Sequence, residues 1–402
     1  MWPFDRLRKK AAENAHGGDL RTGGSIWTPR GDYSLAGSEA VFGAVTMLSS
    51  TVASARLKLY KGADEVTDHP LHKLLCYRPS PRMTPYTFWQ SMEACRDTAG
   101  NCYALKVPSA DGRSIDALDV LVPSCVSVLT DKKTGDLWYE MRPKEGNTLY
   151  VPAWYMLHCR HVTAGGDVGV NPVNVLSETL RYDDQMKTFS LEQVRGVSGA
   201  VVLEIPSSLG QDQKRSVIDN FMENYRRSNS SLLVLTGGTK ASSINKSVVD
   251  SKVLDVDRIT ANKVARVYNL PPALMGDYST SSFNSQEQQQ LQYIQRTIFP
   301  ILRMYEDELN SKLLTYEEIS EGYHFAFDVN DLSMADAQTR ANVHQMYVRG
   351  GVMRPNEARA RENLPADPNG NTLLASKDLQ PLSMIVRGGT ENGVLPLRKN
   401  GE

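Results

Sequence analysis

The chain of 402 residues has little that would support redox chemistry, metal binding or membrane insertion. Its five cysteines are an odd, scattered set without a Cys-x-x-Cys pair, which favours reduced thiols in a cytosolic compartment. No apolar run is long enough to span a bilayer, and the charged N-terminus, Met1 to Lys10, is not followed by the apolar core of a signal peptide. We therefore expect no metal, no cofactor and no membrane partner.

An excess of charge of either sign is also absent. Lys and Arg together number 45, Asp and Glu number 46, and the formal net charge is -1. Tight non-specific binding to nucleic acid depends largely on neutralising phosphates with Lys and Arg, so any contact with DNA should be loose. The length predicts two or three packing units rather than one small core.

Two short motifs could carry chemistry, and each has a simpler interpretation. Gly237-Gly238-Thr239-Lys240 follows a predicted strand and could cradle a phosphate, but it lacks the spacing of a phosphate-binding loop, and a hairpin turn is the better interpretation. His158-Cys159-Arg160-His161 could suggest metal ligands, but residues 158 and 159 would lie on opposite faces of a half-buried strand.

Catalytic signatures of other kinds are weak. Asp328, Asp331 and Asp336 could form a nuclease-like carboxylate cluster, although Asp331 and Asp336 near the start of a helix would simply favour its dipole. No Gly-x-Ser-x-Gly elbow is present. We expect the chain not to be an enzyme.

Apolar spacing predicts an α+β chain. In the first half it predicts a helix with Val41, Phe42, Val45 and Leu48 on one face, a strand at Arg56 to Tyr60, a helix from Thr84 that buries Phe88, Trp89, Met92 and Cys95, strands at 102–107, 119–121, 125–129, 137–142 and 155–161, and a helix from Pro172 through Phe189. In the second half it predicts a helix from Ser208 to about residue 227, a strand at 232–236, a helix from Val256 to Tyr268 with Val256, Ile259, Val264 and Val267 inward, a strand at 323–329, and helices at about 333–349 and 355–363.

The most informative stretch runs from Arg266 to Leu314. Leu270 precedes a proline and is pushed out of the α region, so a helix must end there. A loop rich in Ser and Thr follows, made of Asp277, Tyr278, Ser279, Thr280, Ser281, Ser282, Phe283 and Asn284.

A long amphipathic helix is predicted to open after this loop at Ser285, with a capping box to Gln288 and an apolar stripe that includes Leu291, Ile294, Ile298, Leu302, Tyr305, Leu309 and Leu313. Pro300 predicts a kink in this helix, which would leave the root of the loop free to shift. The glutamine-rich run at 286–290 is either a solvated helix face or the lining of a wet channel, and these two interpretations are compatible.

Taken in order, segments across most of the chain, from about Ala36 to Pro368, resemble the HK97-like portal proteins of tailed bacteriophages. The segments are Leu59-Tyr60-Lys61, His69-Pro70-Leu71 with Leu74-Leu75, Pro79 with Met83-Thr84 and Phe88, Gly100-Asn101-Cys102-Tyr103, Leu121-Val122-Pro123, Ala265-Arg266-Val267, Leu270 to Gly276, Asn284 with Glu287, Pro300 with Glu306, Leu309-Asn310 and Leu313, and Arg354 to Arg359. Each segment is short, and the resemblance rests on their shared order and spacing. Cys102 and Leu270 depart from the usual residues of the family, but both are apolar exchanges.

The resemblance implies a portal fold with a mixed α/β wing, a helical stem, a small α/β clip, a long kinked helix and a helical crown. In this chain it implies a flexible N-terminal segment 1–35, the first part of the wing 36–206, a stem helix 207–227, the clip 228–254, a stem helix 255–272, a tunnel loop 273–285, the long kinked helix and the returning wing strand 286–330, the crown 331–368 and a flexible tail 369–402. The core of the tunnel loop would be residues 277–284, Pro300 the kink, and Gly237, Gly238, Thr239 and Lys240 a docking surface for partners on the clip.

The function implied by the resemblance is a ring of about twelve subunits at one capsid vertex. Double-stranded DNA would be packaged and ejected through it with loose, non-specific contacts. The implied partners are the large subunit of the terminase, the major capsid protein and a head-tail adaptor. The implied location is the virion, with assembly in the host cytoplasm. A different capsid-associated subunit, such as an adaptor or a minor head protein, is the alternative, and a nuclease or peptidase is a more distant one.

Overall fold

A computed structural model describes residues 38–109, 114–143, 147–194, 200–204, 210, 215–216, 219, 240–244, 251–276, 283–329, 337–362 and 364–374. The chain divides into two compact units, Met1–Leu332 and Ser333–Glu402. In the described part of the chain, no helix is both long and apolar enough to cross a membrane.

The first unit mixes helices and strands, as the apolar spacing predicts. Its helices are α1 (Glu39–Ser54), α2 (Pro70–Tyr77), α3 (Pro85–Ala99), α4 (Pro172–Val175), α5 (Ser177–Val194), α6 (Ser251–Val267), α7 (Phe283–Tyr293), α8 (Phe299–Leu313) and α9 (Tyr316–Ser320). Its strands are β1 (Arg56–Lys61), β2 (Asp64–Glu65), β3 (Asn101–Pro108), β4 (Ile115–Leu121), β5 (Val126–Thr130), β6 (Leu137–Met141), β7 (Leu149–Pro152), β8 (Met156–Arg160), β9 (Ala200–Glu204), β10 (Lys240–Ile244) and β11 (Tyr323–Asp328).

The described strands form three three-stranded sheets, in the orders β11-β1-β2, β4-β3-β8 and β5-β6-β7, and a two-stranded ribbon of β9 and β10. The pairing of β1 with β11 is antiparallel and places Arg56 opposite Asp328. A strand near the start of the unit is therefore completed by a strand near its end, and the unit cannot be divided between them without losing this sheet.

Helix α3 shows how local signals build the core of the first unit. The Thr84 hydroxyl caps its N-terminus, Pro85 occupies the first turn, and Gly100 ends it at a φ of 77°. Phe88, Trp89 and Met92 are buried along one face, as predicted. A side chain at Gly100 would collide with the backbone of residue 170, so glycine is required there for close packing as well as for its left-handed conformation.

A buried ionic cluster joins α3 to two other helices. Arg96 donates to both carboxylate oxygens of Glu93 at 2.8 and 2.6 Å, and the Tyr305 hydroxyl donates to Glu93 at 2.8 Å. The Tyr268 hydroxyl, just after α6, donates to the Asp97 carbonyl at 3.0 Å. Because a buried charge is tolerated only with partners of this kind, the bond from Tyr305 to Glu93 fixes the position of α8 on α3. The bond from Tyr268 to the α3 backbone holds the end of α6 beside it.

Helix α8 also supplies hydrogen bonds to the free edge of β11. The Phe325 amide donates to Asn310 Oδ1 at 2.7 Å, and Asn310 Nδ2 donates back to the Phe325 carbonyl at 3.3 Å. One helical turn earlier, Glu306 Oε1 accepts from the Phe327 amide at 2.8 Å. These side chains take the place of a neighbouring strand.

The same helix also provides hydrogen-bond partners for β8, the edge strand of a second sheet. Glu308 Oε1 accepts from the His158 amide at 2.7 Å, and Lys312 Nζ donates to the Met156 carbonyl at 2.6 Å. Glu308 and Lys312 are themselves paired at 2.6 Å. Residues 306 and 310 thus bond β11 while residues 308 and 312 bond β8, and α8 joins the two sheets.

Three apolar residues predicted to face inward are exposed in the single chain. Phe42 is 53% exposed, Ile259 51% and Leu291 50%. In α1 the buried stripe consists of Val41, Ala44, Val45, Leu48 and Val52. Phe42 lies about 100° around the helix from Val41, outside that stripe. The inward placement of these three residues is therefore wrong for one subunit.

Some element boundaries also differ from prediction. The segment from Pro172 forms two helices, with Leu176 between them, instead of one. Helix α7 begins at Phe283 and not at Ser285, because no proline or glycine among residues 283–285 prevents the helix from extending backward. Helix α2 and strands β7 and β9 are not predicted, since each is too short to show a clear period.

The second unit contains α10 (Ala337–Arg349) and α11 (Pro355–Arg361), close to the two predicted helices. Glu362 accepts from Arg340 Nε at 3.2 Å and links the two helices. Asn356 donates to the Asp367 carbonyl at 2.8 Å and accepts from the Asp367 amide at 2.8 Å, which folds the following segment back onto α11.

Replacing Asn310 tests whether the side chains of α8 stabilise the sheet edges. Asn310→Ala should lower the free energy of unfolding in urea by about 1–3 kcal/mol, because both backbone groups of Phe325 lose their partners. Ser311→Ala on the same helix is the control, since Ser311 is exposed and takes no part in the contacts with either strand edge. A similar loss for both variants would show that the edge contacts contribute nothing specific.

Candidate functional site

The predicted tunnel loop is described at its two ends. Residues 277–282 lie outside the described part of the chain, and Phe283 and Asn284 form the first turn of α7. Before the loop, α6 ends at Val267, as predicted from the proline that follows Leu270, and a 3₁₀ turn covers Pro272–Met275. Gly276 closes that turn at a φ of 90°, with open space around its Cα.

Asn269 marks the point where the chain leaves α6. Its φ is 53°, the left-handed conformation, which asparagine tolerates better than most residues. The next residue, Leu270, is 5% exposed, and its amide donates to the Ala265 carbonyl at 2.7 Å. The turn before the loop is therefore held against the core.

The irregularity predicted at Pro300 lies one turn ahead of it. Residues Ile294–Ile298 form a π turn, and the Phe299 amide bonds to the Ile294 carbonyl, five residues back. Proline has no N–H, so the Arg296 carbonyl, four residues before Pro300, lacks its α-helical donor. Where the regular α-helical hydrogen bonds are interrupted in this way, a π turn commonly forms.

Asn269 and the π turn are bonded to each other. Asn269 Nδ2 donates to the Arg296 carbonyl at 3.3 Å and lies 3.2 Å from Thr297 Oγ1. The Thr297 hydroxyl donates to the Asn269 carbonyl at 2.6 Å. We call these contacts of Asn269, Arg296 and Thr297 the root clamp. The expectation that Pro300 leaves the root free to shift stays a prediction, and these contacts argue against it, because the carbonyl that Pro300 exposes is one of the bonded groups.

Polar groups surround the root clamp, and Arg296 is the charged one among the described residues there. A groove of about 400 Å³ lies between the residue 269–273 turn and α7, and Gln289, Gln292 and Arg296 line it. Gln288 and Gln290 are exposed, as expected for a solvated helix face. At its inner side, the Tyr293 hydroxyl donates to Thr51 Oγ1 at 2.9 Å and fixes α7 on α1. Among the described residues, the lining contains no carboxylate, histidine or cysteine.

The proposed clip motif is described at its last residue. Gly237, Gly238 and Thr239 lie outside the described part of the chain, as does the strand expected at 232–236. Lys240 is the first residue of β10, and in the antiparallel pairing of the two strands it lies opposite Glu204 of β9. A phosphate-binding loop would run directly into a helix at this lysine, and a strand follows instead, which argues against that alternative.

His158 is a buried structural residue. Its Nδ1 lies 2.9 Å from the Tyr139 hydroxyl, and its Nε2 lies 3.0 Å from Asn101 Oδ1. Because the Asn101 oxygen can only accept, the imidazole is neutral with its proton on Nε2 and accepts from Tyr139. Both ring nitrogens are thus occupied, and burial lowers the pKa of His158 to about 3.

The strand that carries His158 and Cys159 is buried on both faces, so the half-buried interpretation is wrong. Its second face packs against α8, a layer that the alternation could not reveal. Among the described residues, no group of His, Cys, Asp and Glu could hold a metal ion. Asp328 pairs with Lys58 at 3.2 Å, and Asp331 and Asp336 lie outside the described residues.

The sequence is similar to phage proteins along most of its length. Residues 39–363 match the sequence model of a family described as phage portal protein. The portal protein of Enterobacteria phage HK97 is 24% identical over 326 residues, which cover 78% of this chain and 74% of that protein. A probable portal protein of Streptomyces phage phiC31 is 22% identical over 293 residues, covering 68% of this chain and 62% of that protein.

Solved structures share the fold. A chain in the neck of an empty gene transfer agent particle, computed with C6 symmetry, has a TM-score of 0.57 and 18% identity, covering 86% of this chain and 96% of that chain. An HK97-family phage portal protein from Corynebacterium diphtheriae has a TM-score of 0.56 and 15% identity, covering 73% and 93% of the two chains. At these identities the likeness concerns the fold.

The buried state of His158 predicts a loss of stability in mild acid. Its pKa falls from 6.5 to about 3 on folding, so below pH 6.5 the unfolded chain takes up a proton that the native chain does not. Between pH 6.5 and 5 this should cost up to about 1.4 kcal/mol per pH unit in the free energy of unfolding. Urea titrations should show a shallower slope of the free energy of unfolding against pH for His158→Gln than for the unaltered protein. An unchanged slope in His158→Gln would contradict the assignment.

Proposed function

The chain belongs to the phage portal protein family, and from that premise we propose that it forms a ring at one capsid vertex through which double-stranded DNA is packaged and ejected. The match over residues 39–363 carries this proposal. It confirms the resemblance drawn from short sequence segments. The proposed location is the virion, with assembly in the host cytoplasm.

The proposed role is structural. In the described part of the chain the candidate site offers amides, hydroxyls and one guanidinium, with no arrangement for catalysis. The balance of 45 basic and 46 acidic residues suits a conduit, because each tight phosphate contact would add to the barrier for sliding DNA. The terminase large subunit, a separate protein, would supply the energy for translocation.

The finer organisation is proposed from the family. We assign residues 36–206 and 286–330 to the wing and long helix, 207–227 and 255–272 to the stem, 228–254 to the clip and 331–368 to the crown. Residues 277–284 would face the hole as the tunnel loop. Terminase and the head-tail adaptor would dock on the clip near Gly237 to Lys240, and the major capsid protein would surround the ring of about twelve subunits.

The exposed apolar residues of a single chain support assembly. Phe42, Ile259 and Leu291 lie on three helices that flank the root clamp, and each is about half exposed. Such side chains are stabilised when an identical neighbour covers them, and a ring provides a neighbour on either side. We propose that they lie at the contact between subunits.

Acidic substitutions at two of these residues test the ring. The unaltered protein should have roughly twelve times the 44.6 kDa mass of the chain in light scattering at micromolar concentration. Phe42→Asp and Ile259→Asp should shift it toward smaller species while the circular dichroism spectrum stays native, because a charge would be buried at each contact. Tyr316→Asp, at a residue 91% exposed, is the control. A monomeric unaltered protein under all assembly conditions would overturn the proposal.

Lysines in the proposed tunnel loop test its position. Replacing Thr280, Ser281 and Ser282 together with lysine should leave ring formation intact but impair DNA packaging, because each subunit would add new phosphate contacts at the narrowest point. The matched control exchanges Ser and Thr at the same three positions and should package normally. Normal packaging by the lysine variant would refute the placement at the constriction, and loss of the ring would show that the segment is part of the structural core.

A further inference from the structure

Pro300 and Asn269 are coupled through one carbonyl group. In an uninterrupted α-helix, the Arg296 carbonyl would accept from the amide of residue 300, and proline has none. Asn269, from the other side of the loop, supplies the donor at 3.3 Å. The proline thus exposes an acceptor, and the asparagine side chain takes the place of the missing amide.

We propose that Asn269, Thr297 and Pro300 act together as positioning residues that fix where the chain leaves the protein body ahead of the loop. The role of this fixed point in a DNA channel rests on the proposed function, but the clamp itself does not. In this account Pro300 serves to free the Arg296 carbonyl, and bending of the helix is secondary.

The backbone at Asn269 makes the contact reciprocal. The left-handed conformation at a φ of 53° turns the Asn269 carbonyl toward the π turn, where the Thr297 hydroxyl donates to it at 2.6 Å. The side-chain amide of Asn269 in turn donates to the Arg296 carbonyl. One asparagine is therefore both donor and acceptor, and neither alanine nor aspartate could reproduce both contacts.

The clamp is seated on the core from both sides. Thr297 is 6% exposed and Ile298 is fully buried. On the other side, Tyr268 directly precedes Asn269, is 3% exposed and donates to the Asp97 carbonyl. Beyond the 3₁₀ turn, Gly276 has a φ of 90°, and a Cβ placed there would meet no atom of the described residues within 4 Å. The geometry therefore separates a fixed point at Asn269 from a permissive one at Gly276, seven residues later.

Pro300→Ala should loosen the junction although it removes a helix-breaking residue. Alanine restores an amide at residue 300, which can bond to the Arg296 carbonyl and compete with Asn269. The variant should have a more regular helix but a looser junction. Loss of one hydrogen bond raises the population of an open state by about fivefold, so the amides of Leu270 and of residues 273–276 should exchange about five times faster.

The test is hydrogen–deuterium exchange followed by mass spectrometry on the purified full chain, in the oligomeric state that it adopts in solution. Asn269→Gly retains the left-handed backbone and removes the amide, and Thr297→Val removes the hydroxyl at constant shape. Both should raise exchange at 270–276 about fivefold, with the melting temperature monitored to exclude global unfolding. Thr297→Ser retains the hydroxyl and should behave as the unaltered protein.

Coupling is tested by combining variants. If Asn269 acts on the carbonyl that Pro300 frees, Asn269→Gly and Pro300→Ala together should raise exchange no further than either alone. Unchanged exchange in Asn269→Gly and Thr297→Val, an equal rise in Thr297→Ser, or additive effects in the double variant would each overturn the proposal. None of these readouts depends on DNA packaging. If only the proposed function fails, the variants will show the exchange pattern predicted above in a protein that forms no ring.

Discussion

The structure depends on how two exposed sheet edges are satisfied by one helix. Strands β8 and β11 each end a three-stranded sheet and would leave backbone amides and carbonyls without partners. Helix α8 provides Glu306 and Asn310 for one edge and Glu308 and Lys312 for the other. Positions four apart lie on the same side of a helix, so two such pairs, offset by two residues, point toward different strands. The orientation of α8 is thus determined by directional hydrogen bonds as well as by its apolar stripe.

This fixed orientation extends to the candidate site. Tyr305 of α8 donates to Glu93 in the buried cluster on α3, and the backbone carbonyl of Asp97 on the same helix accepts from Tyr268, next to Asn269. At the other end, α8 continues through the π turn into the root clamp. The two ends of the loop region are therefore positioned by one helix that also joins the sheets. For a ring that guides DNA, such a connection would hold each loop at the same height and distance from the axis, which a freely hinged helix would not.

Local signals were predicted well from the sequence, and long-range ones were not. The end of α6 shortly before Leu270-Pro271 and the start of α3 at Thr84-Pro85 follow from residues beside them in the chain. The pairing of β1 with β11 depends on chain closure over most of the first unit, which no local pattern encodes.

The polar residues of α8 look like an ordinary solvated face until the strand edges beside them are known. The root clamp joins Asn269 to Arg296 and Thr297, which lie 27 and 28 positions later in the chain, and no local pattern links them. Phe42 and Ile259 were assigned to a core because apolar periodicity cannot distinguish burial within a chain from burial between chains.

The most direct test of the central claim is a cryo-electron microscopy map of the assembled protein at side-chain resolution. The account predicts a closed ring in which residues 277–284 of every subunit face the central hole, with the Asn269 amide against the Arg296 carbonyl at the base of each loop. A map that places residues 277–284 on the outer surface of the ring, or shows the Asn269 side chain turned away from Arg296 in the assembled state, would contradict it.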